Sequence, residues 1–483
     1  MTVEPAVQHR RIAGLHLEYK WWALTCTSLG MLLATINSGT LIIALPDLER
    51  ALGTSILSLV WVILAYMISS TVLVLFAGRL SDLFGRKQAY VAGFVLFALA
   101  SLGAGFAHDG TVLILWRIMQ GVGGAFLFAN SAALVTDAFP REQLGLAMGT
   151  NTMVAAIGLV IGPVLGGALV AISWQWVFWF NVPFALLGSL WAALVLRELA
   201  RPDRVRGFDI PGVLVFVVGL TGLVYGLSRG GLNGWSDPLT IGGLVVGAVL
   251  LPLFVAIERV HHAPMLDLTI FENRLFAAAT AAAFINGLSR FALMFLFVFY
   301  FQGVKGQDPI TAGIELAPMA IGMLIASPLA GVWADRRGSR ALAALGMFVS
   351  AIALAGMTML DVHTAYFWSA LWLFVVGVGS GMFNSPNTAA MMGTVPAYRR
   401  GIAAGARTVL QNTGAVISIA FVLAIVTSSV DKNTLFAIFS GVTTGLSDAT
   451  LAPFVSNMHT ALWVLAATSL VGTGICLLRP RGA

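Results

Sequence analysis

Residues 78–87 read Gly-Arg-Leu-Ser-Asp-Leu-Phe-Gly-Arg-Lys, and residues 331–340 read Gly-Val-Trp-Ala-Asp-Arg-Arg-Gly-Ser-Arg. Both stretches contain the spacing G-x-x-x-D-x-x-G, in which glycine permits a tight turn with positive φ. Each stretch joins the second and third apolar segments of a group of six. A turn that recurs at equivalent positions indicates that the chain contains two related halves.

The composition indicates a protein that lies in a membrane. Hydrophobic residues make up 58% of the 483 residues and charged residues 10%, against roughly 25% charged residues in soluble proteins. So few charges cannot cover a soluble surface, and the mean hydropathy is +0.90. A β-barrel would alternate polar and apolar residues with a period of two, so we expect helices. The net charge of +6 comes from small groups of Lys and Arg between apolar segments, which is the pattern of membrane topology rather than of nucleic-acid binding.

Fourteen apolar runs are long enough to cross a bilayer. They are approximately 21–45, 56–78, 88–107, 111–137, 143–171, 175–196, 209–228, 238–258, 275–303, 309–333, 341–360, 364–388, 401–428 and 456–478. An even number places both termini on one side. If that side is cytoplasmic, the external loops contain only four of the 27 Lys and Arg residues: Arg50, Arg229, Lys305 and Lys432. The positive-inside rule therefore predicts cytoplasmic termini and a multi-pass protein of the cell (inner) membrane.

The longest predicted cytoplasmic loops divide the chain. We expect an all-α polytopic fold whose fourteen transmembrane helices are arranged as six, two and six. The predicted segments are a cytoplasmic tail at 1–20, a six-helix bundle at 21–197, a linker with two extra transmembrane helices at 198–274, a second six-helix bundle at 275–478 and a cytoplasmic tail at 479–483. Two related six-helix halves are typical of secondary transporters. The extra helices contain few polar residues, so we expect them to lie outside the transport path.

The motifs resemble those of the major facilitator superfamily. Residues 78–87 resemble its motif A, the pattern Leu113-x-x-x-Arg117-x-x-Gln120-Gly121-x-Gly123 resembles its motif B, and residues 158–167 resemble motif C, which is associated with antiporters. With fourteen spans, and with residues 174–183 at the sixth helix, the chain is similar to the 14-spanner drug:proton antiporters over residues 20–478. The resemblance implies the major facilitator fold. It also implies export of hydrophobic or amphipathic small molecules (multidrug-type efflux) by proton antiport with alternating access.

Motif A and its repeat are interpreted as a gate. The resemblance implies that Asp82 lies at the amino end of the helix that begins near Gly401, where a carboxylate interacts favourably with the helix dipole. It also implies that Arg86 pairs with Asp137 at the end of helix four. The predicted gate residues are Gly78, Asp82, Gly85, Arg86, Asp137 and Asp335. A plain turn with solvated charges is the alternative.

Motif C places small residues at i, i+4 and i+8 of helix five, with a proline among them. Small residues let helices approach closely, and proline removes one backbone hydrogen bond and bends the helix. The resemblance implies a tight seal between helices five and eight of the transport core, which are the spans 143–171 and 309–333. Generic packing is the alternative. The residues of this antiporter motif are Gly158, Gly162, Pro163, Gly166 and Gly167.

The acidic residue that the family has near the end of helix one is replaced here. The family pattern is D-x-T-x-x-x-x-A-L-P, and residues 37–46 begin with Asn37. An amide cannot carry a proton, so proton coupling would need another group. Glu315 is the one acidic residue predicted well inside a span, about 10 Å from its outer end. Desolvation at that depth suits a carboxyl to reversible protonation.

Three interior arginines accompany this carboxyl: Arg117, Arg290 and Arg407. Arg290 lies on the neighbouring predicted helix and is the expected partner of Glu315. The role of Glu315 stays open between proton coupling, a static ion pair with Arg290, and substrate contact. The resemblance links Arg117 to proton coupling, and a structural arginine bonded to backbone carbonyls is the alternative. An interior charge is usually functional or paired.

Other polar residues inside the predicted spans are candidates for substrate binding. They are Asn37, Asn286, Asn384, Asn387, Gln411 and Asn412. The two asparagines that flank Pro386 predict a broken helix beside a cavity, although polar contact between helices explains any single residue equally well.

The sequence contains no pattern typical of an enzyme. It has no P-loop, no H-E-x-x-H and no Cys/His cluster, and Cys26 and Cys476 lie in apolar segments. Residues 226–230 match G-x-S-x-G, but a hydrolase needs a strand before this turn and a helix after it, whereas here it ends a membrane helix. We therefore expect no enzymatic activity, no cofactor and no metal.

The expected partners follow from this interpretation. They are a small-molecule substrate, protons and the lipid bilayer, without nucleic acid, and we expect a monomer. Three interior arginines against one glutamate leave the membrane region positively charged. The alternative function is therefore export of lipids or anionic amphiphiles, with or without proton coupling.

Overall fold

The computed structural model of the protein describes residues 9–12, 15–140, 143–198, 209–262, 264, 266–395, 400–428, 430–439 and 447–479. Nearly all of these residues are helical, so the predicted all-α class is confirmed. A short hairpin that the sequence did not predict precedes the first helix. Its strands β1 (His9–Ile12) and β2 (Leu15–Glu18) pair antiparallel, with Arg10 opposite Leu17.

Eighteen α-helices follow within the described ranges. They are α1 (Tyr19–Ile43), α2 (Leu45–Leu52), α3 (Ile56–Phe84), α4 (Arg86–Ala104), α5 (Gly110–Ala138), α6 (Leu144–Ile172), α7 (Trp176–Trp179), α8 (Asn181–Val195), α9 (Ile210–Asn233), α10 (Pro238–Val260), α11 (Arg274–Val298), α12 (Pro309–Glu315), α13 (Ala317–Arg337), α14 (Ser339–Met357), α15 (Tyr366–Gly393), α16 (Arg400–Thr427), α17 (Lys432–Phe439) and α18 (Asp448–Leu477). Short 3₁₀ and π-helical turns cover Leu268–Glu272 and Phe299–Val304. We name the two ends of the bundle after turns located there, the Gly85 end and the Pro309 end.

Thirteen helical segments of the described chain are long and apolar enough to cross a membrane. The remaining predicted span corresponds to α6, whose described apolar part is Ile161–Ile172. The count of fourteen therefore stays a prediction, as does the division of the chain into five segments.

Two helix interruptions differ from the expectation. The helix predicted at 309–333 is broken at Leu316 into α12 and α13, because Pro318 has no N–H to continue the hydrogen-bond ladder. The predicted break around Pro386 is wrong, since α15 runs through it as one helix. There the side-chain amide of Asn384 donates to the carbonyl of Ser380 at 3.0 Å and strengthens the same turn.

The helices pack into two groups. Helix α1 packs on α6, α3 and α4 pack on α5, and α8 packs on α4 and α1. In the second group α15 packs on α13 and α14, and α11 packs on α16 and α18. Helix α6 also packs on α12, so the two groups meet through these helices.

The hairpin of α9 and α10 lies at the edge of both groups. Helix α9 packs on α3 and on α16, whereas α10 contacts mainly α9 and leaves most of its surface exposed. Two glycines of α9 allow this approach: a Cβ on Gly226 would lie 2.7 Å from the backbone nitrogen of Leu244, and a Cβ on Gly231 would overlap the backbone of Ala424. At the Pro309 end, Arg229 donates to Asp237 at 2.7 Å. This bond and the N–H of Thr240 lower the pKa of Asp237 to about 2.

We expect Gly226→Leu to destabilise the hairpin. The added side chain overlaps the α10 backbone, and overpacking of this kind costs about 1–3 kcal/mol. The matched control is Gly242→Leu, because a Cβ at Gly242 meets nothing within 4 Å. Thermal unfolding in detergent should show a lower Tm for Gly226→Leu than for the control. Equal Tm values would contradict the close packing of α9 on α10.

Candidate functional site

The two groups of helices touch through backbone contacts at the Pro309 end. A Cβ on Gly167 of α6 would lie 2.6 Å from the Cα of Ile310 on α12, and a Cβ on Gly313 would lie 2.8 Å from the carbonyl carbon of Pro163. These distances are too short for any side chain, so the glycines set the spacing of the two helices. The predicted contact between motif C and the span 309–333 is therefore present. We call this contact, made by Pro163, Gly167, Ile310 and Gly313, the α6–α12 seam.

The other motif C glycines contact the helix before them in the same group. A Cβ on Gly162 would lie 3.0 Å from the Cα of Gly39, and one on Gly166 would lie 2.7 Å from the Cα of Thr40. A Cβ on Gly158 would overlap the side chain of Thr35. One face of α6 thus packs on α1, and the adjacent face packs on α12.

A polar contact adds to the closure of the Pro309 end. The side-chain amide of Gln302, in the π-helical turn after α11, donates to the carbonyl of Ile43 at 3.0 Å. Gln302 is buried. Since Ile43 ends α1, this bond also joins the two groups of helices.

The turn at the Gly85 end has the geometry expected of its glycines. Gly85 has a φ of 100° and Gly338, in the second copy, a φ of 83°. Both values lie in the region that favours glycine. The side chains of Asp82 and Asp335 lie outside the described residues, so their predicted contacts stay predictions. Gly78 lies within α3.

The ion pair expected between Arg86 and Asp137 is present. The guanidinium of Arg86 donates to both carboxylate oxygens of Asp137, at 2.7 and 2.8 Å. The pair joins the start of α4 to the end of α5 and is partly exposed.

Sequence reasoning missed Glu198, which completes this turn. Its carboxylate accepts from the backbone N–H groups of Arg86 and Lys87, both at 3.0 Å. A carboxylate at the first turn of a helix also interacts favourably with the helix dipole. A Cβ on Gly85 would lie 3.0 Å from Cδ of Glu198, so the glycine makes room for it. Glu198 lies far along the chain, and no spacing rule connects it to α4.

A buried polar cluster surrounds Asn37 in the first group. The side-chain oxygen of Asn37 accepts from Gln120 at 3.2 Å, from Asn181 at 3.4 Å and from Arg117 at 3.5 Å. Arg117 is 1% exposed, and it also donates to the carbonyl of Val62 at 2.9 Å. Its guanidinium lies 4.4 Å from the centre of the Tyr66 ring. Asn37 thus supplies the acceptor oxygen that an acid would offer, without the charge.

A second polar cluster lies in the other group. Asn384 accepts from Arg407 and from Gln411, both at 3.4 Å. Arg290 lies nearby over the ring of Phe291, 4.7 Å from its centre.

The remaining candidates for substrate binding contact other helices. Asn286 is buried and its amide donates to the sulfur of Met347 at 3.5 Å. Asn387 is fully buried, donates to the carbonyl of Ala279 at 3.1 Å and accepts from Arg479. These bonds join helices, which was the alternative interpretation. Asn412 lies partly exposed on α16.

The expected pairing of Glu315 with Arg290 is wrong. No ion pair joins them among the residues that the structure describes. Helix α11 packs on α15, α16 and α18, whereas α12 packs on α6, so the two helices are not neighbours. The charges that act on Glu315 are Lys305 and Asp308.

The side chains around Glu315 lie at the Pro309 end of the bundle. Glu315 is 9% exposed and ends α12, two residues after Gly313 of the α6–α12 seam. The hydroxyl of Tyr366 donates to its backbone carbonyl at 3.3 Å. Nearby, the ammonium of Lys305 donates to the carbonyls of Val362 and Thr364 at 2.8 and 2.6 Å.

Comparison with known proteins identifies the family. The model of the Major Facilitator Superfamily matches residues 27–419, and the chain belongs to this superfamily of membrane transporters. The resemblance seen in the motifs is therefore confirmed. The superfamily consists of transporters rather than enzymes, and this chain is a multi-pass membrane protein.

Two similar proteins are drug exporters by name. The multidrug resistance protein Stp of Mycobacterium tuberculosis is 33% identical over 400 residues, which cover 82% of this chain and 74% of that protein. The tetracenomycin C resistance and export protein of Streptomyces glaucescens is 28% identical over 405 residues, 83% of this chain and 75% of that protein.

One solved structure shows the same fold. It is a bacterial homologue of the human lysosomal transporter Spinster in an inward-facing and occupied conformation. It matches with a TM-score of 0.68 and 14% identity over 95% of this chain and 96% of that one.

We expect Gly167→Val to open the α6–α12 seam. The new side chain overlaps the backbone of α12, and overpacking of about 1–3 kcal/mol shifts the closed-to-open ratio by roughly 5- to 150-fold. Spin labels at Arg50→Cys and Asn433→Cys, in a background without Cys26 and Cys476, report the distance between α2 and α17.

The control for this distance measurement is Gly474→Val on α18, where a Cβ meets nothing within 4 Å. The label-to-label distance should lengthen in Gly167→Val and stay unchanged in the control. An unchanged distance in both variants would contradict the role of the seam in closing this end.

We expect reversal of either charge in the Arg86–Asp137 pair to slow transport. The single variants Arg86→Asp and Asp137→Arg place like charges together, and the double variant restores an attraction worth about 1 kcal/mol. Arg229 and Asp237 provide the control, since they form a pair of the same 2.7 Å length outside both groups. Transport rates at equal expression should fall in the single variants and recover in the double variant. Equal losses in Arg86→Asp and Arg229→Asp would show that the position of the pair is unimportant.

Proposed function

We propose that the protein exports hydrophobic or amphipathic small molecules from the cytoplasm in exchange for protons. Drug export is supported by the two relatives named for drug resistance and export, and nothing in them favours lipid export. Alternating access is supported chiefly by the α6–α12 seam. A contact of backbone on backbone between two helix groups either closes fully or separates, which is what a two-state gate needs.

The turn at the Gly85 end is proposed as the opposite gate. Arg86, Asp137 and Glu198 hold the start of α4 in a fixed position relative to α5 and the end of α8. In this proposal Gly78, Asp82 and Asp335 complete the gate, with Asp82 at the amino end of α16 when it closes. We place the Gly85 end and both termini in the cytoplasm, as the distribution of Lys and Arg predicts.

Glu315 is proposed as the group that carries the proton. It lies two residues from Gly313, so separation of α12 from α6 exposes its carboxyl to water. Burial disfavours the charged form of a carboxyl and hydration favours it. The carboxyl therefore takes up a proton from the outside while the seam is open and keeps it when the seam closes, because burial favours the neutral form. It releases the proton when the Gly85 end opens to the cytoplasm, which exchanges one proton for exported substrate. Arg117, which donates to Asn37, is proposed to assist proton coupling. Arg290 is proposed to take part in the cycle without pairing with Glu315.

The binding cavity is proposed to lie between the two groups of helices. Asn384, Gln411 and Asn412 line its wall in the second group, together with Arg290 and Arg407. A single chain contains both groups, so the monomer is the proposed unit of transport.

We expect Glu315→Gln to abolish transport driven by a pH gradient. The amide cannot exchange a proton, whereas its shape preserves the packing of α12. Purified protein in proteoliposomes with an imposed pH gradient should lose gradient-driven accumulation of ethidium. Equilibrium binding of ethidium should stay within about threefold of wild type, a change below 1 kcal/mol.

The control for Glu315→Gln is Asp448→Asn, which removes an exposed carboxyl at the same end. It should transport like the wild type. If Glu315→Gln still concentrates ethidium by means of the pH gradient, the assignment is wrong. Asp137 then becomes the next candidate.

A further inference from the structure

Two arginines in the second group have few partners in the protein. Arg290 lies 4.0 Å from the sulfur of Met323, a weak acceptor, and its Nε is buried without a hydrogen-bond partner. Arg407 makes one long bond of 3.4 Å to Asn384, and its Nε is likewise buried without a partner. A guanidinium has five N–H donors, so both cations keep most of their bonding capacity.

The two cations repel each other. The charge of Arg407 acts unfavourably on Arg290, and no carboxylate pairs with either within the described ranges. Glu315 does not compensate them, because it lies at the Pro309 end. Burying a charge without a counter-ion is destabilising. A protein that keeps two such charges together therefore needs them for a function.

Arg117 shows that the fold can satisfy an interior arginine. Its guanidinium bonds to the carbonyl of Val62 and to the side-chain oxygens of Asn37 and Gln120, and it packs on Tyr66. It is 1% exposed, whereas Arg290 and Arg407 are both partly exposed. Arg117 thus has its donors bonded within the protein, whereas Arg290 and Arg407 each keep a buried Nε without a hydrogen-bond partner.

The helix register places a polar side chain between the two cations. A Cβ on Gly287 would overlap the backbone of Gln411, so these residues are at the same depth in α11 and α16. Arg290 lies about one turn towards the Pro309 end and Arg407 about one turn towards the Gly85 end. Their Cα atoms are therefore about 10 Å apart along the helices, with Gln411 between them.

The helices that carry these arginines lie where the two groups of helices meet. Helix α16 packs on α3, and α11 contacts α1. Helices α11 and α16 are among the most buried spans, so the exposed parts of their arginines border an internal cleft rather than lipid. Phe291 and Met323 provide apolar surface beside the cations.

We propose that Arg290, Arg407 and Gln411 form a binding site for the oxyanion, such as a carboxylate, of an amphipathic aromatic substrate. This site adds a substrate class to the proposed export function, and its role in transport rests on that function. Guanidinium groups bind a carboxylate through charge-assisted hydrogen bonds, and the aromatic part of the substrate packs on Phe291 and Met323. The anion supplies the negative charge that the protein lacks at this depth.

The test compares 1-pyrenebutyric acid with its methyl ester, which has the same ring system without the charge. Binding to the full chain is measured by fluorescence in phosphatidylcholine nanodiscs. We expect the acid to bind about tenfold more tightly than the ester, and Arg290→Gln or Arg407→Gln each to remove about that factor for the acid only. Arg290→Lys and Arg407→Lys keep the charge and should recover part of the affinity. Arg229→Gln, which removes an arginine outside the cleft at the Pro309 end, should bind both probes like the wild type.

Equal binding of acid and ester by the wild type would overturn the proposal, as would equal losses of both probes in the glutamine variants. The same oxyanion chemistry occurs in lipid headgroups, so short-chain phosphatidylglycerol is added as a competitor. Displacement of the acid with the same arginine dependence would assign the site to lipid and overturn its assignment to substrate.

Ethidium transport separates this inference from the proposed function. Transport of ethidium with no preference for the acid would refute the oxyanion site and leave export standing. Arginine-dependent binding of the acid without transport of any probe would uphold the site and refute proton-driven export.

Discussion

The approach of α6 to its neighbours without intervening side chains determines the arrangement of this transporter. Gly162 and Gly166 bring α6 onto α1, and Gly167 with Gly313 brings it onto α12. Because neither contact has room for a Cβ, α6 has little freedom to slide relative to either helix. A movement of α12 away from α6 therefore has to break many backbone contacts together. Small residues at membrane helix contacts act in this way generally, since apolar side chains gain nothing by leaving lipid for protein.

The second constraint is the cost of charge inside a membrane. Each interior arginine is placed differently: Arg117 is enclosed by carbonyl and amide oxygens, whereas Arg290 and Arg407 retain free donors beside a cleft. Glu315 lies apart from all three, under Lys305 at the Pro309 end. Glu315 is thus separated along the membrane normal from the pair Arg290 and Arg407. This separation fits the proposal that Glu315 binds the proton and that Arg290 and Arg407 bind the charged part of the substrate.

Patterns within one segment were predictable from the sequence, and contacts between distant segments were less so. The spans followed from apolar length, and Arg86 with Asp137 and motif C with the span 309–333 followed from motifs. Glu198 was missed because a single glutamate after a helix has no spacing that ties it to α4. The pairing of Glu315 with Arg290 failed because helices adjacent in sequence were taken as adjacent in space. The sequence predicted a helix break at Pro386, but the break is at Leu316, before Pro318. At Pro386 the side chain of Asn384 bonds to the preceding turn, and the helix continues.

The contact of α9 with both α3 and α16 has a consequence for how molecules reach the cleft. At the level of Gly231 and Ala424 the hairpin covers the line where the two groups of helices meet. At that level a compound dissolved among the lipid tails contacts the hairpin rather than the line between the two groups. The two helices of the hairpin make the two flanks of the protein different towards its lipid surroundings, although the repeated G-x-x-x-D-x-x-G turn predicts two related halves.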